Sequence, residues 1–409
     1  MKIALVTQYF WPESFSINDM VRELEAQGHS IDVYTGKPNY PEGDVFAGYT
    51  QNGCSQEPFA QNVTIHRAPL RPRGKSGAKD LIRNYLSFVW NGLRHFPRQA
   101  QGKHYDVIFV FSLSPITAAI PAIYLKWRKR TPMVMWVLDL WPESLSATGH
   151  IRNKYVLTAV GLMVRAIYAN SKKILVQSHA FIDAVSAYAH RDKISYFPNF
   201  APDVAVQPLA TTSVPQALLG IMEQHFCIVF TGNLGSAQAV ETLIKACRQL
   251  SDLPDFRLVL VGSGSMSNWL QEQQAALDLK QLVLAGRFPA EEMPQFLSRA
   301  AGLLVSLKDE PIYAQTVPAK IQTYLAAGKP ILASINGEGA RVVQHTGAGL
   351  CSPAQDAGAL ADNIRKLYHM TPGERTCMGE SGRRYFLEHF ELKAQARRLA
   401  EHLQQAVSS

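Results

Sequence analysis

Short apolar runs alternate with longer helical patterns along almost the whole chain, and this alternation limits the fold more than any other feature. Such a pattern is typical of parallel β-sheets built from strand, helix, strand units. The runs form two groups, separated by an irregular, proline-bearing stretch that follows Asn199. The first group begins at Lys2, Ser30, Asp106, Pro132 and Lys172, and the second at Phe226, Phe256, Leu282, Gly302 and Pro330. The sequence therefore predicts an α/β protein with two doubly wound parallel sheets.

The length of the chain agrees with two domains, because 409 residues exceed what one ordinary hydrophobic core holds. We predict a first domain over 1–203, a linker over 204–223, a second domain over 224–375 and C-terminal helices over 376–409. Apolar residues make up 47% of the chain and charged residues 18%, which is the balance of a folded protein with little disorder.

Cysteine usage and hydropathy indicate a protein of the reducing cytoplasm. The five cysteines are widely spaced with no CxxC pair, so neither a disulfide framework nor a zinc site is indicated. The N-terminal apolar run is too short for a signal-peptide core and is interpreted as a strand. The stretch from Val107 to Leu125 carries no charge and is long enough to span a membrane. Its interruption at Ser112, Ser114 and Pro115 favours a buried strand, a turn and a helix instead.

The formal net charge of +8 is unevenly distributed along the chain. Between Arg67 and Lys103 basic residues are frequent, Asp80 is the only acid, and Phe88, Trp90 and Phe96 lie among them. A second basic cluster, KWRKR, runs from Lys126 to Arg130. Such a surface can bind nucleic acid or anionic lipid. The alternative is a solvated helix face with some of its aromatic residues in the core.

Unusual residues follow the predicted strands, at the edge where open parallel sheets bind ligands. In the first half these loops read YFWPESFSIND, GKPNYPEG, SLSP and DLWPES, and the last contains Asp139 and Glu143. In the second half they read GNLGSAQ, GSGS, GRFP, LKDEP followed by VPAK, and INGEG. Acids placed like Asp139 and Glu143 can orient a substrate hydroxyl or a base, and the alternative is capping of a helix. Two sheets that presented such loops toward each other would form a cleft between the domains.

The segment from Ser306 to Pro330 gives the strongest single indication of a ligand. Pro318 suits the first position of a helix, and Gly328 suits the left-handed position just past its end. Lys320 then lies in the first turn, where the helix dipole disfavours a cation by about 0.3 to 1 kcal/mol unless an anion is bound. The alternative is a lysine solvated at the surface. The glycines of GSGS and GNLGSAQ have comparable alternatives, a tight turn and a capped helix start.

Patterns typical of metal sites and covalent nucleophiles are not found in the sequence. The histidines of the first half show no ligand spacing, and neither GxSxG nor HExxH occurs. We therefore expect chemistry that depends on positioning and charge, without a metal.

At these motifs the chain resembles the family 4 glycosyltransferases of the GT-B fold, over nearly its whole length. PNYPEG, NYLSF, DLWPES, GNLGSAQ, GRFP, VPAK, AAGKP and INGEG occur in the order of one branch. That branch contains the WbuB-type enzymes, which resemble N-acetyl-L-fucosamine transferases of bacterial surface polysaccharide synthesis. The resemblance implies two Rossmann-like domains facing across a cleft, with a nucleotide-sugar donor, expected to be a UDP-sugar, held by the second domain and an acceptor by the first. It also implies retention at the anomeric carbon, no cofactor, no obligatory metal, and helices over 376–409 that return to the first domain.

The resemblance also suggests site residues, with two departures from the family pattern. Asn233 and Gln238 stand where the wider family has an arginine and a lysine that neutralise the diphosphate. Gln315 and Thr323 stand where it has paired glutamates. A diphosphate leaving group needs positive charge, so the cations at strand ends of the second half are expected to supply it. The expected donor-binding residues are Asn233, Gly235, Gln238, Arg287, Lys308, Lys320 and Glu338, with Glu310 as the alternative to Glu338. The expected acceptor-binding residues are Ser14, Asn39 and Tyr40, and the expected catalytic residues are Asp139 and Glu143.

The leading hypothesis is a cytoplasmic retaining glycosyltransferase of O-antigen, capsule or exopolysaccharide synthesis. It would move a hexosyl or N-acetylated deoxyhexosyl group from a nucleoside diphosphate to a polyprenyl-diphosphate-linked saccharide. Its basic clusters would rest on the anionic inner face of the bacterial membrane, and it would bind no nucleic acid. A dinucleotide-dependent oxidoreductase also fits doubly wound sheets, although GxGxxG is missing after the first strand. A non-catalytic nucleic-acid or lipid-binding protein would use the basic surface alone.

Overall fold

The computed structural model describes residues 1–74, 77–147, 153–205 and 212–408. The chain forms two compact units, which we call unit 1 (Met1–Pro198 with Leu392–Ser409) and unit 2 (Asn199–Glu391). Each unit contains one parallel sheet with helices between its strands. The predicted α/β class with two doubly wound sheets is therefore confirmed.

Unit 1 contains an eight-stranded sheet in the order β3-β4-β2-β1-β5-β6-β7-β8. The strands are β1 (Lys2–Val6), β2 (Ser30–Thr35), β3 (Ser55–Ala60), β4 (Val63–Arg67), β5 (Val107–Ser112), β6 (Met133–Val137), β7 (Lys173–Val176) and β8 (Ile194–Tyr196). Strand β3 pairs antiparallel with β4, and the other pairs are parallel. Ile3 of the central strand β1 lies between Ile31 and Val107. Strands β5 and β6 are buried along their whole length, which explains their continuous apolar sequences.

The helices of unit 1 connect these strands. They are α1 (Ser16–Ala26), α2 (Ala78–Gln99), α3 (Ile120–Lys129), α4 (Glu143–Ala147), α5 (Lys154–Ala169) and α6 (His179–Ser186). Short 3-10 helices occupy Ile116–Ala119 and Arg191–Lys193. The stretch from Val107 to Leu125 thus forms a strand, a turn and a helix, as predicted. Within the described ranges, no helix has both the length and the apolar character needed to cross a membrane.

Unit 2 contains a six-stranded parallel sheet in the order β11-β10-β9-β12-β13-β14. The strands are β9 (Phe226–Thr231), β10 (Phe256–Val261), β11 (Leu282–Gly286), β12 (Gly302–Ser306), β13 (Ile331–Ser334) and β14 (Gly349–Ser352). Two hydrophobic clusters form its core, one containing Val229 and Ile321 and the other Phe230 and Leu260. Because neighbouring residues of a strand point to opposite faces, Val229 and Phe230 belong to different clusters.

The helices of unit 2 are α7 (Gln216–Gln224), α8 (Val240–Arg248), α9 (Ser267–Ala276), α10 (Met293–Arg299), α11 (Pro311–Ala314), α12 (Ala319–Ala327), α13 (Glu338–Thr346), α14 (Ala357–His369) and α15 (Pro372–His389). Short 3-10 helices occupy Ser236–Gln238 and Ala290–Glu292. Helix α12 begins at Ala319, so Pro318 is its N-cap and not its first helical residue. The ψ of Pro318, 136°, is extended, whereas a helical residue needs a negative ψ. Gly328 has the predicted left-handed conformation, with φ +64°.

The boundaries of the units differ from the predicted domain limits at two places. Residues 199–205 belong to unit 2, where Ala201 donates its N–H to Phe390 O at 3.1 Å and Asp203 forms an ion pair with Arg383 at 2.7 Å. Much of the predicted linker 204–223 lies in 206–211, outside the described residues, or in α7, whose apolar face is buried in unit 2. Within the predicted segment 376–409, the part belonging to α15 packs against α12 of unit 2. The return to unit 1 begins only with α16 (Leu392–Ser408), which packs against α1.

Candidate active site

The loops that follow β9, β10 and β11 in unit 2 are held together by backbone hydrogen bonds. Gly232 donates to Val261 O at 2.8 Å, Leu234 to Ser263 O at 3.0 Å, and Gly262 to Gly286 O at 2.7 Å. Gly262 has φ +147°, and a Cβ there would lie 1.8 Å from the carbonyl oxygen of Gly232. Only glycine permits this approach of two backbones. The GNLGSAQ, GSGS and GRFP motifs therefore form one surface.

A cavity of about 420 Å³ opens at this surface. Its wall is mostly backbone from the glycine motifs, completed by a few larger side chains; the lining residues are Gly232, Asn233, Val261, Gly262, Ser263, Gly264, Arg287, Phe288 and Met293. Two of the expected donor-binding residues, Asn233 and Arg287, line it. A wall of exposed backbone next to one guanidinium suits an anionic ligand with a planar group.

Lys320 lies in the first turn of α12, beside the glycine loops. The hydroxyl of Tyr324, one turn further along α12, accepts from the backbone N–H of Thr231 at 3.1 Å and so holds the helix against the end of β9. The Lys320 ammonium lies 3.5 Å from the centroid of the Phe230 ring. Its Nζ is 3.6 Å and its Cε 3.2 Å from where a Cβ would stand on Gly232. Lys320 is therefore placed at the glycine surface, as a ligand role requires.

Lys320 is a half-buried cation that has no anionic partner among the described residues. Among the described residues, no carboxylate lies within ion-pair distance of its ammonium and no protein group accepts a hydrogen bond from it. Burial lowers the pKa of Lys320 to about 7. Contact with the Phe230 ring compensates only part of the lost hydration. The arrangement lacks negative charge, which a bound diphosphate would provide.

The other expected donor-binding residues of the first loop organise that loop. The Oε1 atom of Gln238 accepts from the backbone N–H of Gly235 at 3.0 Å and from Nδ2 of Asn233 at 3.3 Å. Lys308 is tied to the same loop, because its backbone N–H donates to Ala237 O at 2.9 Å. Gln238 thus shapes the turn that places Asn233 at the cavity.

Glu338 is the first residue of α13, and a neighbouring arginine engages its carboxylate. Arg341 Nη2 lies 2.7 Å from Glu338 Oε2, and Nε donates to Oε1 at 3.1 Å. Sequence reasoning missed a second polar contact nearby, in which Asn336 Nδ2 donates to Asp309 Oδ1 at 2.8 Å. Asn336 and Asp309 belong to the loops that follow the adjacent strands β13 and β12. Because ligands bind at the carboxyl ends of parallel strands, this position in the sequence was the signal that could have identified both residues.

In unit 1, Asp139 and Glu143 flank the loop between β6 and α4. The carboxylate of Asp139 accepts from the Ser144 hydroxyl and, at 3.2 Å, from the Trp141 indole N–H. Within the described part of the chain it accepts from no backbone N–H, so the alternative of helix capping does not apply to Asp139. Glu143 accepts from the Tyr188 hydroxyl at 3.5 Å. The two acids therefore face different partners.

Tyr85 on α2 lies within electrostatic range of both Asp139 and Arg73. Burial raises the pKa of the Tyr85 phenol, Arg73 lowers it, and the Asp139 carboxylate raises it further. Both charges therefore act on one phenol. Sequence reasoning included Tyr85 only as part of the NYLSF motif, and no residue pattern connects it with Asp139, 54 positions away.

The loops after β1 and β2 are joined by a carboxylate that sequence reasoning did not select. Glu13, which is 2% exposed, accepts from the backbone N–H groups of Asn39 and Tyr40, each at 2.8 Å, and of Phe10 at 3.1 Å. Burial raises the pKa of Glu13 to about 7, although these donors and Arg67 oppose the change. Glu13 thus fixes the loop that carries two of the expected acceptor-binding residues.

The three expected acceptor-binding residues have different environments. Asn39 is fully buried, and its amide donates to Lys37 O at 3.0 Å while its oxygen accepts from the N–H of Arg73 at 3.0 Å. Its side chain therefore shapes the loop and has no surface with which to contact an acceptor directly. Ser14 is exposed, and Tyr40 is partly exposed. Ser14 and Tyr40 therefore have surface with which to contact an acceptor.

Tyr40 belongs to a group of three aromatic rings at this edge of the sheet. The ring centroids of Tyr9 and Phe15 are 5.3 Å apart, those of Phe15 and Tyr40 5.2 Å, and those of Tyr9 and Tyr40 5.6 Å. The Arg73 guanidinium lies 5.1 Å from the Tyr40 ring, and its Nη1 donates to the Tyr9 hydroxyl at 3.0 Å. Aromatic faces and a guanidinium form a surface that can stack on a sugar and bind a phosphate.

The described residues contain no cluster of three or more histidine, cysteine, aspartate or glutamate side chains able to hold a metal ion. The loops that follow the strands of unit 2 instead present positive charge, backbone N–H groups and backbones that glycine allows to approach closely. Those of unit 1 present aromatic and carboxylate side chains.

Comparison with known proteins identifies the chemistry. A family model described as Glycosyl transferase 4-like domain matches residues 15–199, and one described as Glycosyl transferases group 1 matches residues 225–370. Together they cover most of the chain and follow its division into two units. The WcaI glycosyl transferase of Escherichia coli K12, named for colanic acid biosynthesis, is 24% identical over 90% of this chain and 92% of its own length.

Solved structures with low sequence identity share the fold. Sucrose-phosphate synthase of Thermosynechococcus elongatus superposes with a TM-score of 0.75 at 18% identity, over 100% of this chain and 99% of that one. HepE of Anabaena, solved in complex with UDP, has a TM-score of 0.69 at 15% identity, over 99% of this chain and 100% of its own. The family-level resemblance is thus confirmed, and the oxidoreductase and non-catalytic alternatives are excluded. The chain belongs to the group 1, family 4 glycosyltransferases of the GT-B fold and is a nucleotide-sugar-dependent glycosyltransferase.

Proposed function

We propose that this enzyme transfers a sugar from a UDP-sugar, with retention at the anomeric carbon, to a polyprenyl-diphosphate-linked saccharide during bacterial surface polysaccharide synthesis. The proposal includes membership of the WbuB-type branch, with N-acetyl-L-fucosamine or another N-acetylated deoxyhexose as the sugar. It also includes action at the inner face of the cytoplasmic membrane, without binding of nucleic acid. The name of WcaI, which refers to colanic acid, supports a role in an exopolysaccharide. The complex of HepE with UDP supports the nucleotide.

The observation that carries the donor part is the unpaired ammonium of Lys320 beside the glycine loops. A half-buried cation that has lost part of its hydration and has no anion beside it costs free energy in the empty enzyme. That cost disappears when a diphosphate supplies the missing charge, so it contributes to donor binding. Arg287 lines the cavity beside the same loops and adds a second positive charge. The backbone N–H of Lys308 donates to Ala237 O of the first loop, and we propose its ammonium as a third cation for the diphosphate.

In the proposed reaction one bond forms and one breaks at the anomeric carbon. The acceptor hydroxyl oxygen bonds to that carbon on the face from which the diphosphate departs. The bond to the leaving phosphate oxygen breaks, and this oxygen takes the proton of the acceptor hydroxyl, so charges and atoms balance. Lys320 stabilises the negative charge that develops on the diphosphate. Asp139, held by Trp141 and Ser144, orients a hydroxyl of the donor sugar or of the acceptor.

The acceptor part rests on the aromatic group of unit 1. Tyr40, which packs against Phe15 and the buried Tyr9, presents a ring on which a sugar can stack, and Arg73 stands at its edge. The acceptor proposed here has a saccharide joined to a diphosphate, and these two chemical groups match the two kinds of side chain. Glu13 and Asn39 act as positioning residues that hold this loop.

The donor part is tested with a panel of UDP-sugars and three variants of the enzyme. A ligand at one hundred times its Kd stabilises the folded state by about 2.7 kcal/mol, which a thermal-shift assay detects. We expect stabilisation of the wild type by UDP and by one UDP-sugar class, retention of part of it in Lys320→Arg, and its loss in Lys320→Met. The control is Lys280→Met, which removes an exposed lysine of the same unit and should behave as wild type. Equal stabilisation of Lys320→Met and wild type would refute the proposed phosphate role of Lys320.

The acceptor part is tested by turnover. A polyprenyl-diphosphate-linked saccharide and the same saccharide without lipid and diphosphate are offered with the preferred UDP-sugar. We expect transfer to the first at least about tenfold faster at equal concentration, because Arg73 binds the diphosphate. Equal rates for both acceptors would contradict a lipid-linked substrate.

A further inference from the structure

The outward face of α2 carries large apolar side chains where a solvated helix would carry polar ones. Ile82, Leu86 and Trp90 are 53%, 62% and 68% exposed. Their spacing of four residues places them in one row along the helix. Phe88 and Phe96, on the opposite side, are buried in the core. The sequence-based alternative of a solvated face with some aromatic residues in the core agrees with the burial of these two phenylalanines, but it does not account for the exposed apolar row.

Cations extend this row at both ends. Lys79 and Arg83 lie near its start, and Arg94 and Arg98 lie beyond Trp90; all four side chains are exposed. The helix carries one carboxylate, Asp80, which lies 3.5 Å from Arg83 and 3.8 Å from Arg71. A 22-residue helix is about 33 Å long. It therefore presents an apolar centre between two positively charged ends.

Two neighbouring helices expose apolar side chains on the same side of the sheet. Helices α2, α3 and α5 connect β4 to β5, β5 to β6 and β6 to β7, steps that all proceed in one direction across the sheet. Right-handed crossovers place such helices on one face. Helix α3 packs against α2 and exposes Trp127 (63%), whose indole N–H donates to Asn170 Oδ1 at 3.1 Å, at the end of α5. Helix α5 exposes Tyr155 and Leu162.

We propose that this face docks unit 1 on an anionic phospholipid bilayer, with Ile82, Leu86 and Trp90 of α2 inserted between the headgroups and the flanking cations bound to lipid phosphates. The proposal rests on the proposed function, since it names the surface through which the enzyme reaches a lipid-linked acceptor. It goes beyond a basic patch, because apolar insertion and not charge alone holds the protein. An amphipathic helix of this composition lies in the plane of the interface.

Charge complementarity favours a bilayer over other occupants of this face. A dimer joined through α2 would place like charges against each other, because each copy contributes the same four cations, Lys79, Arg83, Arg94 and Arg98. This repulsion costs free energy. Nucleic acid would match the cations but leave Leu86 and Ile82 without an apolar partner, since its surface is dominated by phosphates. An anionic bilayer supplies negative charge at the surface and hydrocarbon directly below it.

Vesicle flotation of the full-length enzyme tests the proposal. We expect binding to vesicles that contain phosphatidylglycerol and weaker binding to phosphatidylcholine alone. Leu86→Glu should weaken binding to the anionic vesicles at least about tenfold, because a carboxylate replaces an inserted side chain. The matched control is Leu387→Glu on α15, which places the same change at an exposed leucine of unit 2 and should leave binding unchanged.

Salt and quenching separate insertion from simple electrostatic attachment. At about 1 M salt the Debye length is about 3 Å, so purely electrostatic binding disappears, whereas we expect a measurable fraction of the wild type to stay bound. Lipids brominated on the acyl chain should quench tryptophan fluorescence of the wild type and quench Trp90→Phe less. The proposal is overturned if Leu86→Glu floats like wild type, if binding vanishes at high salt without quenching, or if nucleic acid outcompetes the vesicles. It is also overturned if light scattering shows a dimer that Leu86→Glu dissociates.

This proposal and the proposed function fail separately. Loss of vesicle binding, with transfer to a detergent-dispersed lipid-linked acceptor retained, would refute the docking surface alone. Intact vesicle binding and quenching, with no UDP-sugar bound and no transfer, would refute the proposed function alone.

Discussion

The strand-end loops of the two units use different chemistry at equivalent positions of similar sheets. In unit 2 the loops after β9, β10 and β11 are glycine motifs whose backbones touch, with Lys320 as the half-buried cation beside them. In unit 1 the loops after β1, β2 and β6 carry the aromatic group around Tyr40 and the carboxylates of Glu13 and Asp139. The diphosphate is the same in every nucleoside-diphosphate sugar and can be bound by backbone, whereas acceptors differ and are distinguished by side chains. The comparison predicts that changes in the two edges affect different substrates.

The largest effect is expected from Gly262→Ala in unit 2. The new Cβ would clash with the carbonyl of Gly232, so we expect a loss of more than about 3 kcal/mol of stability or loss of UDP binding altogether. Gly286→Ala is the control, because Gly286 has φ +81° but nothing within 4 Å of its Cβ position, and strain alone costs about 1 kcal/mol. Thermal unfolding with and without UDP measures both. Similar losses in the two variants would mean that backbone contact is unimportant at this edge.

A pair of arginine variants tests whether the edges divide the substrates. Arg73→Met should raise the acceptor KM by about 10- to 100-fold, because a phosphate contact and a cation–π contact are both removed, and leave donor affinity unchanged. Arg287→Met should do the reverse, with a comparable loss of UDP-sugar affinity. Steady-state kinetics with each substrate varied provides the measurement. A donor effect of Arg73→Met would break the proposed division.

The next prediction concerns pH and Lys320. With a pKa of about 7 in the empty enzyme, the ammonium is protonated below pH 7, and a bound diphosphate raises its pKa again. UDP-sugar affinity should therefore be constant below about pH 7 and fall by up to about tenfold per pH unit above it. The ligand should be a UDP-sugar and not UDP, because the terminal phosphate of UDP has a pKa of about 6 and would add its own pH dependence. Calorimetric titration from pH 6 to 9 measures how UDP-sugar affinity changes with pH. This dependence should be absent in Lys320→Met. A wild-type affinity that does not change with pH would contradict the proposed phosphate role of Lys320.

The last prediction concerns the pH dependence that Glu13 gives to the stability of unit 1. Its folded-state pKa of about 7 lies above its ordinary value of 4.5, so the folded state binds the proton more tightly. The resulting stability is fully present below about pH 4.5 and is lost as pH rises through about 7, by about 3 kcal/mol in total. Glu13→Gln should remove this term, although its amide cannot accept from Phe10. Denaturant unfolding at several pH values distinguishes the two, and an identical pH slope in both would contradict the role.

Much of this fold follows from local pattern, and the parts that do not are short or half-exposed. Strands such as β5 and β9 are continuous apolar runs and were predicted. Strands β3, β4, β8 and β14 were missed, since β3 is an edge strand with alternating exposure, β8 has three residues, and β14 contains polar residues. The start of the return to unit 1 was also misplaced, because α15 and α16 are separated only by a short break at Phe390 and Glu391.

The site shows the same limit more sharply. Lys320 was predicted because cap residues locate the helix and the first turn locates the lysine. Its contact with Phe230, 90 positions earlier, and its lack of an acid depend on tertiary packing. Glu13 was not among the expected site residues, although its neighbour Ser14 was. Nothing local in the sequence reveals that the loop after β2 places the N–H groups of Asn39 and Tyr40 around the Glu13 carboxylate.

The packing of α16 has a consequence for how the protein is made. This helix buries Leu399 and Leu403 against α1, β5 and β6, yet it is translated after all of unit 2. While the ribosome synthesises residues 199–391, one side of the first sheet lacks its cover and exposes apolar surface. Unit 1, although it emerges first, is therefore the unit that finishes folding last, and during synthesis it is the better substrate for a chaperone.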